Sequence, residues 1–364
     1  MRREKTRGAY VIAAGGTGGH IFLGVALARE IRGRRPEAEI LFVGSRHGLE
    51  AKLVSDAGFP LELVRASGFA GKSAAAKLVS LAELPVGFLQ ARRLLARRRA
   101  VAVAGLGGYV SVPVVAAARS LGVPTLIHES NAFPGVANRV LNRFATRTAV
   151  GIAAANSHLV RPGAVTGTPV RPEFFSVPRL DPSGSTRRLL VFGGSQGSRV
   201  LNKAMTEAVS LLGGDGLQVI HQAGESQFEE TRARYGDRLP EGWRVVPFLP
   251  RIHEQLAWAD LVLSRAGSQT LAELAAAGRP SILVPFGSAT HGHQTVNAEV
   301  FDKAGASVAI AEDSLSGDVL ALLLRELLGD RRRLVAMGES ARSFARPDAA
   351  KLLADLLFEA EGTR

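Results

Sequence analysis

Short apolar runs alternate with segments of helical periodicity along the whole chain. Ten of these runs are apolar on both faces, which is typical of parallel strands covered by helices on each side of a sheet. The predicted strands are Tyr10–Ala14, Ile40–Val43, Leu61–Val64, Val101–Ala104, Thr125–His128, Leu189–Phe192, Val219–Gln222, Arg244–Phe248, Leu261–Ser264 and Ile282–Val284. The pattern therefore predicts an α/β protein built on parallel sheets.

A polar segment divides these strands into two groups of five. Residues 177–188, VPRLDPSGSTRR, combine proline, glycine and charge, which is the composition of a linker. The first strand of each group leads into a glycine turn, in VIAAGGTGGH and in LVFGGSQGS. A glycine turn between the first strand and the first helix is typical of a Rossmann-like unit. We therefore predict two tandem Rossmann-like domains whose glycine loops face a cleft.

The composition is typical of a globular protein and limits the classes of partner that it could bind. The 364 residues are 46% apolar and 21% charged, and they include no cysteine, which excludes disulfides and thiolate metal sites. The net charge of +12 suits nucleic acid, an anionic membrane or a phosphorylated substrate. The longest uncharged window, Ala100–Ala118, contains Gly105, Gly107, Gly108 and Pro113, so we interpret it as strand, loop and helix rather than a membrane span.

The two glycine loops are candidate anion sites, although neither is specific by itself. Backbone N–H groups at the start of a helix can receive a phosphate, and glycine lets the backbone approach it closely. The first loop, Gly15–Gly19, is neither GxGxxG nor a Walker loop. The histidine that follows, His20, would by itself more often be a surface or packing residue than a base. In the second loop, Gly193–Gly197, Ser195 fits a phosphate contact and a helix N-cap equally well.

Two further segments carry acidic and amide side chains directly after predicted strands. In SRAGSQTLAE, Ser264–Glu273, the last residue could compensate the helix dipole or accept two ribose hydroxyls. In HESN, Glu129 and Asn131 lie at the carboxyl end of a strand, where open α/β sheets bind ligands. Both segments therefore belong to the predicted binding edge of a sheet.

The loop Pro285–Ala298 offers two histidines and two amides, which are His291, His293, Gln294 and Asn297. Zinc is not expected there, because the chain has no cysteine and no matched third ligand. Amide side chains suit sugar hydroxyls, which need both donors and acceptors. No Asp-x-Asp pair occurs in the chain, which argues against a metal-held diphosphate.

The order and spacing of seven motifs are more specific than any one of them. The motifs are GGTGGH, GGYVSVP, HESN, TGTPVR, GGSQGS, RAGSQTLAE and HQTVNA. In this order they closely resemble the MurG family of peptidoglycan N-acetylglucosaminyltransferases, and the resemblance extends from Val11 to about Ala349. It implies a GT-B fold, in which two Rossmann-like domains face a cleft.

The resemblance also implies a reaction and its partners. N-acetylglucosamine would pass from UDP-N-acetylglucosamine to the muramyl 4-hydroxyl of lipid I with inversion, giving lipid II for peptidoglycan synthesis. His20 matches the family's proposed general base, and neither a cofactor nor a metal is implied. The other implied partners are the anionic membrane surface and other cell-wall synthesis proteins, with no nucleic acid. The implied location is peripheral, on the cytoplasmic face of the inner membrane.

The family divides the chain into functional parts. Residues 1–172 would bind the acceptor and the membrane, residues 173–346 would bind the UDP-sugar, and a helix at about 347–364 would pack back on the first part. The residues implied to contact UDP-N-acetylglucosamine are Thr17, Gly18, Gly19, Asn131, Arg171, Ser195, Leu249, Ser268, Gln269, Thr270, Leu271, Ala272, Glu273, Gln294 and Asn297.

Five of these residues carry specific implied roles. Ser195 would contact the diphosphate, Leu249 would contact uracil through its backbone, and Glu273 would bind the ribose. Gln294 and Asn297 would read the sugar. Each assignment matches a motif position and gives a donor site built from loops that follow strands.

Three motifs depart from the usual family pattern without removing a proposed charge or proton role. Leu23 lies where a proline is usual, Ser130 replaces the glutamine of HEQN, and RAGS has Ala266 and Ser268 where RSGA is familiar.

The alternative functions are another UDP-sugar-dependent lipid glycosyltransferase, such as one acting on diacylglycerol, and a UDP-N-acetylglucosamine 2-epimerase. The epimerase needs no acceptor, so a basic, apolar acceptor surface argues against it. A dinucleotide dehydrogenase is disfavoured because neither loop is GxGxxG.

The segment Ser67–Arg99 is the candidate membrane-binding surface. Its net charge is +6, and apolar residues are interleaved with that charge. The apolar residues concerned are Leu78, Leu81, Leu84, Phe88 and Leu89. Basic amphipathic helices bind anionic lipid interfaces. The alternative is a helix packed on the core with a solvated basic face.

Overall fold

The computed structural model describes residues 8–16, 18–45, 50–68, 74–212, 216–287 and 292–363, with the backbone alone over 74–82. The chain forms two compact units. Unit 1 comprises Met1–Val170 and Arg346–Arg364, and unit 2 comprises Arg171–Ala345. No helix of the described part is long and apolar enough to cross a bilayer.

Every strand pairing in the two sheets is parallel. The strands are β1 (Tyr10–Ala13), β2 (Ile40–Ser45), β3 (Leu61–Val64), β4 (Ala102–Gly105), β5 (Thr125–Glu129), β6 (Arg147–Val150), β7 (Ala164–Val165), β8 (Arg188–Phe192), β9 (Gln218–Gln222), β10 (Trp243–Val246), β11 (Leu261–Ser264), β12 (Ser281–Leu283) and β13 (Ser307–Ala309). Unit 1 has the order β3-β2-β1-β4-β5-β6-β7, and unit 2 has β10-β9-β8-β11-β12-β13.

Helices connect the parallel strands, as crossover connections require. They are α1 (Gly18–Arg34), α2 (Glu50–Asp56), α3 (Ala74–Arg97), α4 (Ser111–Ser120), α5 (Val136–Leu141), α6 (Arg199–Leu212), α7 (Phe228–Tyr235), α8 (Ile252–Trp258), α9 (Ser268–Ala277), α10 (His293–Lys303), α11 (Gly317–Gly329), α12 (Arg331–Arg342) and α13 (Ala349–Gly362). Short 3₁₀ helices lie over Ala153–His158, Pro172–Phe174, Glu225–Gln227, Gly236–Arg238 and Glu312–Ser314.

The sheet of unit 1 is apolar on both faces because successive side chains of a strand point to opposite sides. In β1, Val11 and Ala13 join one buried cluster, while Tyr10 and Ile12 join another. The second cluster includes Leu353 of α13, so the C-terminal helix belongs to the core of unit 1.

All ten predicted strands are present, with ends that differ by at most two residues, and the α/β fold of two parallel sheets is confirmed. Three further strands, β6, β7 and β13, were not predicted from the sequence. The first begins with Arg147 and Thr148, and the other two are two and three residues long. Such short or polar strands leave no clear apolar run, and β7 and β13 also lie at the edges of their sheets.

The linker predicted over 177–188 is wrong, because this segment lies wholly within unit 2. Leu180 is part of the buried cluster of unit 2. Arg342 donates to the Val177 carbonyl at 2.9 Å, and Arg331 donates to the Asp181 carbonyl at 2.7 Å. Proline and glycine here mark an anchored surface loop, and the chain leaves unit 1 between Val170 and Arg171.

Candidate active site

The first glycine loop lies where the strand order of unit 1 reverses. The strand β1 lies between β2 and β4, and ligands of open α/β sheets bind at the carboxyl ends of strands at such a point. The loop after β4 contacts the loop after β1. A side chain at Gly108 would place its Cβ 2.2 Å from the Gly15 carbonyl oxygen. Gly18 and Gly19 are the first residues of α1, and Thr17 lies outside the described residues.

His20 is half-buried in the first turn of α1, and its ring orientation is fixed from two sides. Nδ1 lies 3.0 Å from the Gly15 carbonyl oxygen. A carbonyl oxygen only accepts hydrogen bonds, so Nδ1 carries the proton and Nε2 of the neutral ring holds the lone pair. On the other side, a Cβ at Gly107 would lie 2.6 Å from the ring. The arrangement presents Nε2 as a proton acceptor.

Glu50 also holds this loop, and sequence reasoning missed it. Its side chain is fully buried, and its Oε1 accepts from Gly16 N at 3.0 Å and from Ser45 Oγ at 3.2 Å. In the sequence it reads as an acidic residue in the first turn of α2, where compensation of the helix dipole is a sufficient explanation. Nothing local to Glu50 signals its contact with a loop 34 residues away.

A buried carboxylate organises the HESN loop at the end of β5. Glu129 Oε1 accepts from the backbone and side-chain nitrogens of Asn131, both at 2.9 Å. Its Oε2 accepts from Gly135 N at 3.0 Å and from Asn138 Nδ2 at 2.9 Å. Asn131 is therefore held in place by Glu129, which fits a residue that presents its amide to a ligand.

His128 and Ser130 of the same motif are buried supports. His128 Nε2 donates to the Gly167 carbonyl at 3.0 Å, and Ser130 Oγ lies 3.2 Å from Nδ1. Burial lowers the pKa of His128 to about 4, so the ring is neutral at neutral pH. The serine that departs from the family pattern thus completes a neutral hydrogen-bonded group.

The second glycine loop connects β8 to α6, and here the structure separates two serines. Ser198 is the N-cap of α6, because its Oγ accepts from Leu201 N at 3.4 Å and its carbonyl accepts from Asn202 N at 2.9 Å. Ser195 is exposed and stands outside the helix. The N-cap interpretation of Ser195 is therefore excluded, while its contact with a diphosphate stays a prediction.

Neutral groups hold the second loop. Gln227 Nε2 donates to the Gln196 carbonyl at 3.1 Å, and Asn202 Nδ2 donates to Gln227 Oε1 at 3.2 Å. His221 Nε2 lies 2.9 Å from Asn202 Oδ1, and burial lowers the pKa of His221 to about 3. Gly224 completes the support, since a Cβ there would lie 2.2 Å from the Gln196 carbonyl oxygen.

The predicted nucleoside loop is the turn between β11 and α9. Gly267 is the N-cap, and Ser268, Gln269 and Thr270 form the half-buried first turn of the helix. The two apolar residues that follow differ: Leu271 is buried in the core and Ala272 is half-buried. The first turn of α9 can therefore offer its backbone N–H groups to a ligand.

Glu273 lies one turn further along α9. Burial raises the pKa of its carboxyl to about 7, against the hydrogen bond from Gln269 and the charge of Arg171, which both lower it. Gln269 Nε2 lies 3.4 Å from Glu273 Oε1. Arg171 thus lies in unit 2 within electrostatic range of Glu273, and its guanidinium packs on Phe174 at 5.2 Å. A carboxyl in this environment gains from two hydroxyl donors that stabilise its charge.

The two predicted sugar-reading amides start α10 but have different surroundings. Gln294 Oε1 accepts from Phe286 N at 3.0 Å. Asn297 is fully buried, and its Nδ2 donates to the Ala266 carbonyl at 3.0 Å, in the turn before α9. His293 is the first residue of α10, and His291 lies outside the described residues.

An ion pair orders the start of the loop after β12. Arg265 Nη1 and Gly287 N both donate to Glu312 Oε2, at 3.0 and 2.6 Å. Burial raises the pKa of Glu312, but these two hydrogen bonds outweigh it and hold the pKa below its ordinary value. Leu249 lies half-buried between β10 and α8, at the same carboxyl edge of the sheet. The predicted unit 2 residues other than Arg171 therefore follow strands of one sheet edge.

Comparison with known proteins identifies the family of both units. Residues 10–150 match the glycosyltransferase family 28 N-terminal domain, and residues 188–353 match the family's C-terminal domain. A relative from Methylococcus capsulatus is 42% identical over 97% of this chain and 98% of its own length. A second from Myxococcus xanthus is 41% identical over 95% of this chain and 91% of its own length. Both are named UDP-N-acetylglucosamine--N-acetylmuramyl-(pentapeptide) pyrophosphoryl-undecaprenol N-acetylglucosamine transferase.

The crystal structure of Acinetobacter baumannii MurG superposes with a TM-score of 0.81 at 30% identity, covering 97% of this chain and 99% of that one. The two parallel sheets and the two domain matches define a GT-B glycosyltransferase of family 28. Within that class, identity above 40% along almost the whole chain is decisive. The chain belongs to the MurG family.

Proposed function

We propose that this protein transfers N-acetylglucosamine from UDP-N-acetylglucosamine to lipid I, undecaprenyl-diphospho-N-acetylmuramoyl-pentapeptide, and so forms lipid II. The observation that carries the proposal is the 42% identity with an enzyme of that name across 97% of this chain. The candidate residues of both units supply the groups that such a transfer needs.

His20 is the proposed general base. Its Nε2 takes the proton of the muramyl 4-hydroxyl, whose oxygen attacks the anomeric carbon of the donor. The bond from that carbon to the diphosphate breaks, and UDP leaves with the electron pair. The proton on Nδ1, held by the Gly15 carbonyl at 3.0 Å, leaves the lone pair of the neutral ring on Nε2, where this step requires it. Because the attack is a single displacement, the α-linked sugar becomes β-linked.

The proposed donor site uses backbone dipoles and a few side chains. Ser195 and the start of α6 would receive the diphosphate, as helix N-termini receive anions. Glu273 would accept the ribose hydroxyls, and Gln294 would contact the sugar. Asn297 would act on the donor indirectly, because its side chain bonds to the Ala266 carbonyl in the turn before α9. Thr17, Gly18, Gly19, Asn131 and Arg171 remain proposed donor contacts.

Acceptor-dependent release of UDP tests the proposed reaction. The protein is incubated with UDP-N-acetylglucosamine, with and without a soluble lipid I analogue, and UDP and the sugar products are measured. We expect UDP release only with the acceptor, together with a β-linked disaccharide product. Conversion of the donor's sugar without acceptor would indicate an epimerase. Transfer to diacylglycerol but not to the lipid I analogue would indicate a different lipid glycosyltransferase.

We further propose that unit 1 binds the surface of an anionic membrane. An apolar cavity of about 390 Å³ lies between α3 and α4, lined by Leu84, Pro85, Phe88, Val112, Pro113 and Ala116. Leu89, the residue after Phe88 on α3, is 51% exposed. Of the basic residues in the segment Ser67–Arg99, Arg97 at the end of α3 and Arg98 just after it pair with Glu62, and Arg92 bonds to Ser120. The side chains of Leu78 and Leu81 lie outside the described residues.

Sedimentation with anionic vesicles at low salt tests this surface. Leu89→Asp should reduce binding, because it places a negative charge at an exposed apolar position of α3. The control is Leu322→Asp on α11, since Leu322 is also an exposed leucine, at 68%, but lies in unit 2. Equal sedimentation of both variants and the parent would show that this surface of unit 1 does not bind the membrane.

A further inference from the structure

A single peptide group connects a buried carboxylate to the proposed base. The peptide between Gly15 and Gly16 has its N–H on Gly16 and its carbonyl on Gly15. The N–H donates to Glu50 Oε1 at 3.0 Å, and the carbonyl accepts from His20 Nδ1 at 3.0 Å. The three groups therefore form one continuous chain of hydrogen bonds, from a carboxylate through an amide to an imidazole.

We propose that Glu50 is a positioning residue for the transfer reaction, acting on His20 through the Gly15–Gly16 peptide. The proposal rests on the proposed function, because it gives His20 the role of base. Glu50 fixes the peptide, and the peptide carbonyl fixes the imidazole with its proton on Nδ1. When Nε2 takes the acceptor's proton, the ring becomes positive, and the carboxylate at the other end of the chain stabilises that charge.

The low dielectric of a buried site strengthens the electrostatic effect of Glu50 on this chain of hydrogen bonds. A hydrogen bond to a carboxylate is roughly twice as strong as one between neutral groups. Hydrogen bonds in a chain strengthen one another by about 10–30% each. A negative oxygen on the N–H side therefore makes the Gly15 carbonyl a stronger acceptor for the His20 proton. The arrangement resembles a carboxylate–histidine pair with one amide placed between its members.

The burial of Glu50 requires an explanation that packing alone does not give. The residue is fully buried, and its Oε2 has no hydrogen-bond partner within the described part of the chain. An incompletely satisfied buried carboxylate is costly, and such groups are retained mainly where they serve a function. Compensation of the dipole of α2 would not require burial, since α2 has seven residues and its first turn could face solvent.

The glycines of the loop are needed for this contact. A Cβ at Gly15 would lie 2.4 Å from Glu50 Oε1. Gly16 has φ +84°, a conformation that side chains rarely adopt. Glycine at both positions therefore lets the peptide lie against the carboxylate on one side while its carbonyl turns towards the histidine on the other.

The charge of the neighbouring histidine does not oppose this arrangement. His128 and His20 interact electrostatically. Burial holds the pKa of His128 at about 4, so it is neutral when His20 acts. Glu50 is the carboxyl group whose hydrogen bonds lead to His20 through the Gly15–Gly16 peptide.

The first test is Glu50→Gln, which keeps the shape and removes the charge. We expect kcat to fall by about 10- to 100-fold, as for other groups that orient a catalytic residue, while KM for UDP-N-acetylglucosamine changes less than about threefold. The matched control is Asp260→Asn. Asp260 is a buried carboxylate that also accepts a backbone N–H, from Arg188 at 3.1 Å, but it pairs with Arg331 outside the site. The control should lower the melting temperature without a comparable loss of kcat.

A double-mutant cycle with His20→Ala distinguishes a Glu50 that acts through His20 from a Glu50 that is purely structural. If Glu50 acts through His20, then Glu50→Gln costs less than about twofold once His20 is absent. Equal losses in both backgrounds would overturn the proposal and leave Glu50 a purely structural residue. If His20→Ala itself retains near-parental turnover, the assignment of the base fails, which is a different result from failure of the connection to Glu50.

A spectroscopic measurement covers the case in which Glu50→Gln does not fold. In ¹⁵N-labelled parent protein, long-range ¹H–¹⁵N correlations report which imidazole nitrogen carries the proton, and the His20 signals are assigned by their loss in His20→Ala. We expect the proton of the neutral ring on Nδ1. A proton on Nε2 would show that the carbonyl of Gly15 does not hold the ring, and the proposal would be withdrawn.

Discussion

The two glycine loops have the same position in their sheets but are held by opposite kinds of chemistry. In unit 1 the loop after β1 lies against the buried carboxylate of Glu50. In unit 2 the loop after β8 lies against neutral amides, and the histidine behind them, His221, has its pKa lowered by burial to about 3. The two units share a fold, so the fold alone does not explain why one loop lies against a carboxylate and the other against neutral amides.

The proposed function accounts for this difference. The loop of unit 1 precedes a base that becomes positive, so a negative charge behind it is favourable. The loop of unit 2 would receive the diphosphate, and a buried carboxylate behind it would repel that group. Neutral amides fix the second loop without such repulsion. The comparison therefore predicts that damage to the first loop affects turnover and damage to the second affects nucleotide binding.

The largest expected effect comes from removing the base. His20→Ala should lower turnover by about 10²–10⁴-fold, because proton transfer to a positioned group is worth that much. Affinity for UDP-N-acetylglucosamine should change little, since the base acts on the acceptor. Steady-state kinetics and donor titration on the same preparation check both statements. Turnover within a few-fold of the parent would remove His20 from the mechanism.

A pH dependence of UDP binding is the next largest effect. Because burial raises the pKa of Glu273 to about 7, the unliganded protein holds a proton near pH 6 that must leave before the carboxylate accepts two ribose hydroxyls. UDP affinity should therefore rise by up to about 10-fold between pH 6 and pH 8, and Glu273→Gln should flatten the profile. Calorimetric titrations at the two pH values measure this.

The stability of the unliganded protein should show the opposite trend. Between the ordinary carboxyl pKa of 4.5 and the raised value of about 7, the folded state holds a proton that the unfolded state has lost. This residue therefore stabilises the fold less as pH rises through that window, and Glu273→Gln removes its contribution to the slope. The binding experiment has its own contrary outcome. If UDP affinity does not change with pH in either the parent or Glu273→Gln, then Glu273 only compensates the dipole of α9.

The smallest expected effects separate the two serines of the second loop. Ser195→Ala should weaken UDP binding about fivefold, or ~1 kcal/mol, without changing the melting temperature, because Ser195 does not cap the helix. Ser198→Ala should lower the free energy of unfolding by about 1 kcal/mol through loss of the cap at Leu201 N. Calorimetric titration and thermal melts compare the variants. A stability loss in Ser195→Ala alone would reverse the two roles.

The features of the fold and site that depend on residues adjacent in sequence could be predicted from the pattern of apolar residues and glycines. Apolar strands such as Leu61–Val64 and Leu261–Ser264 were predicted at their observed ends. Both glycine loops were located because a close backbone turn requires glycine at fixed spacing. Short edge strands such as β13 were missed because few residues carry the pattern.

Contacts between distant parts of the sequence could not be predicted in the same way. Glu50 and Gly16 are 34 residues apart, and neither position signals the other. Ser195 and Ser198 both fit a cap by composition, and only the observed start of α6 at Arg199 distinguishes them. The burial of Asn297 against Ala266 likewise depends on how α10 packs, which a loop rich in amides does not reveal.

The most direct test of the division between the loops is the same substitution made in each unit. Gly107 has φ +109°, and a Cβ there would lie 2.6 Å from the His20 ring. Gly224 has φ +91°, and a Cβ there would lie 2.2 Å from the Gln196 carbonyl oxygen of the second loop. Both alanine variants are measured for kcat with the lipid I analogue and for UDP affinity by calorimetry.

We expect Gly107→Ala to lower kcat by about 10- to 100-fold with UDP affinity nearly unchanged, and Gly224→Ala to weaken UDP binding by a similar factor with a smaller change in kcat at saturating donor. Loss of kcat and of UDP affinity in the same proportion in both variants would contradict the account.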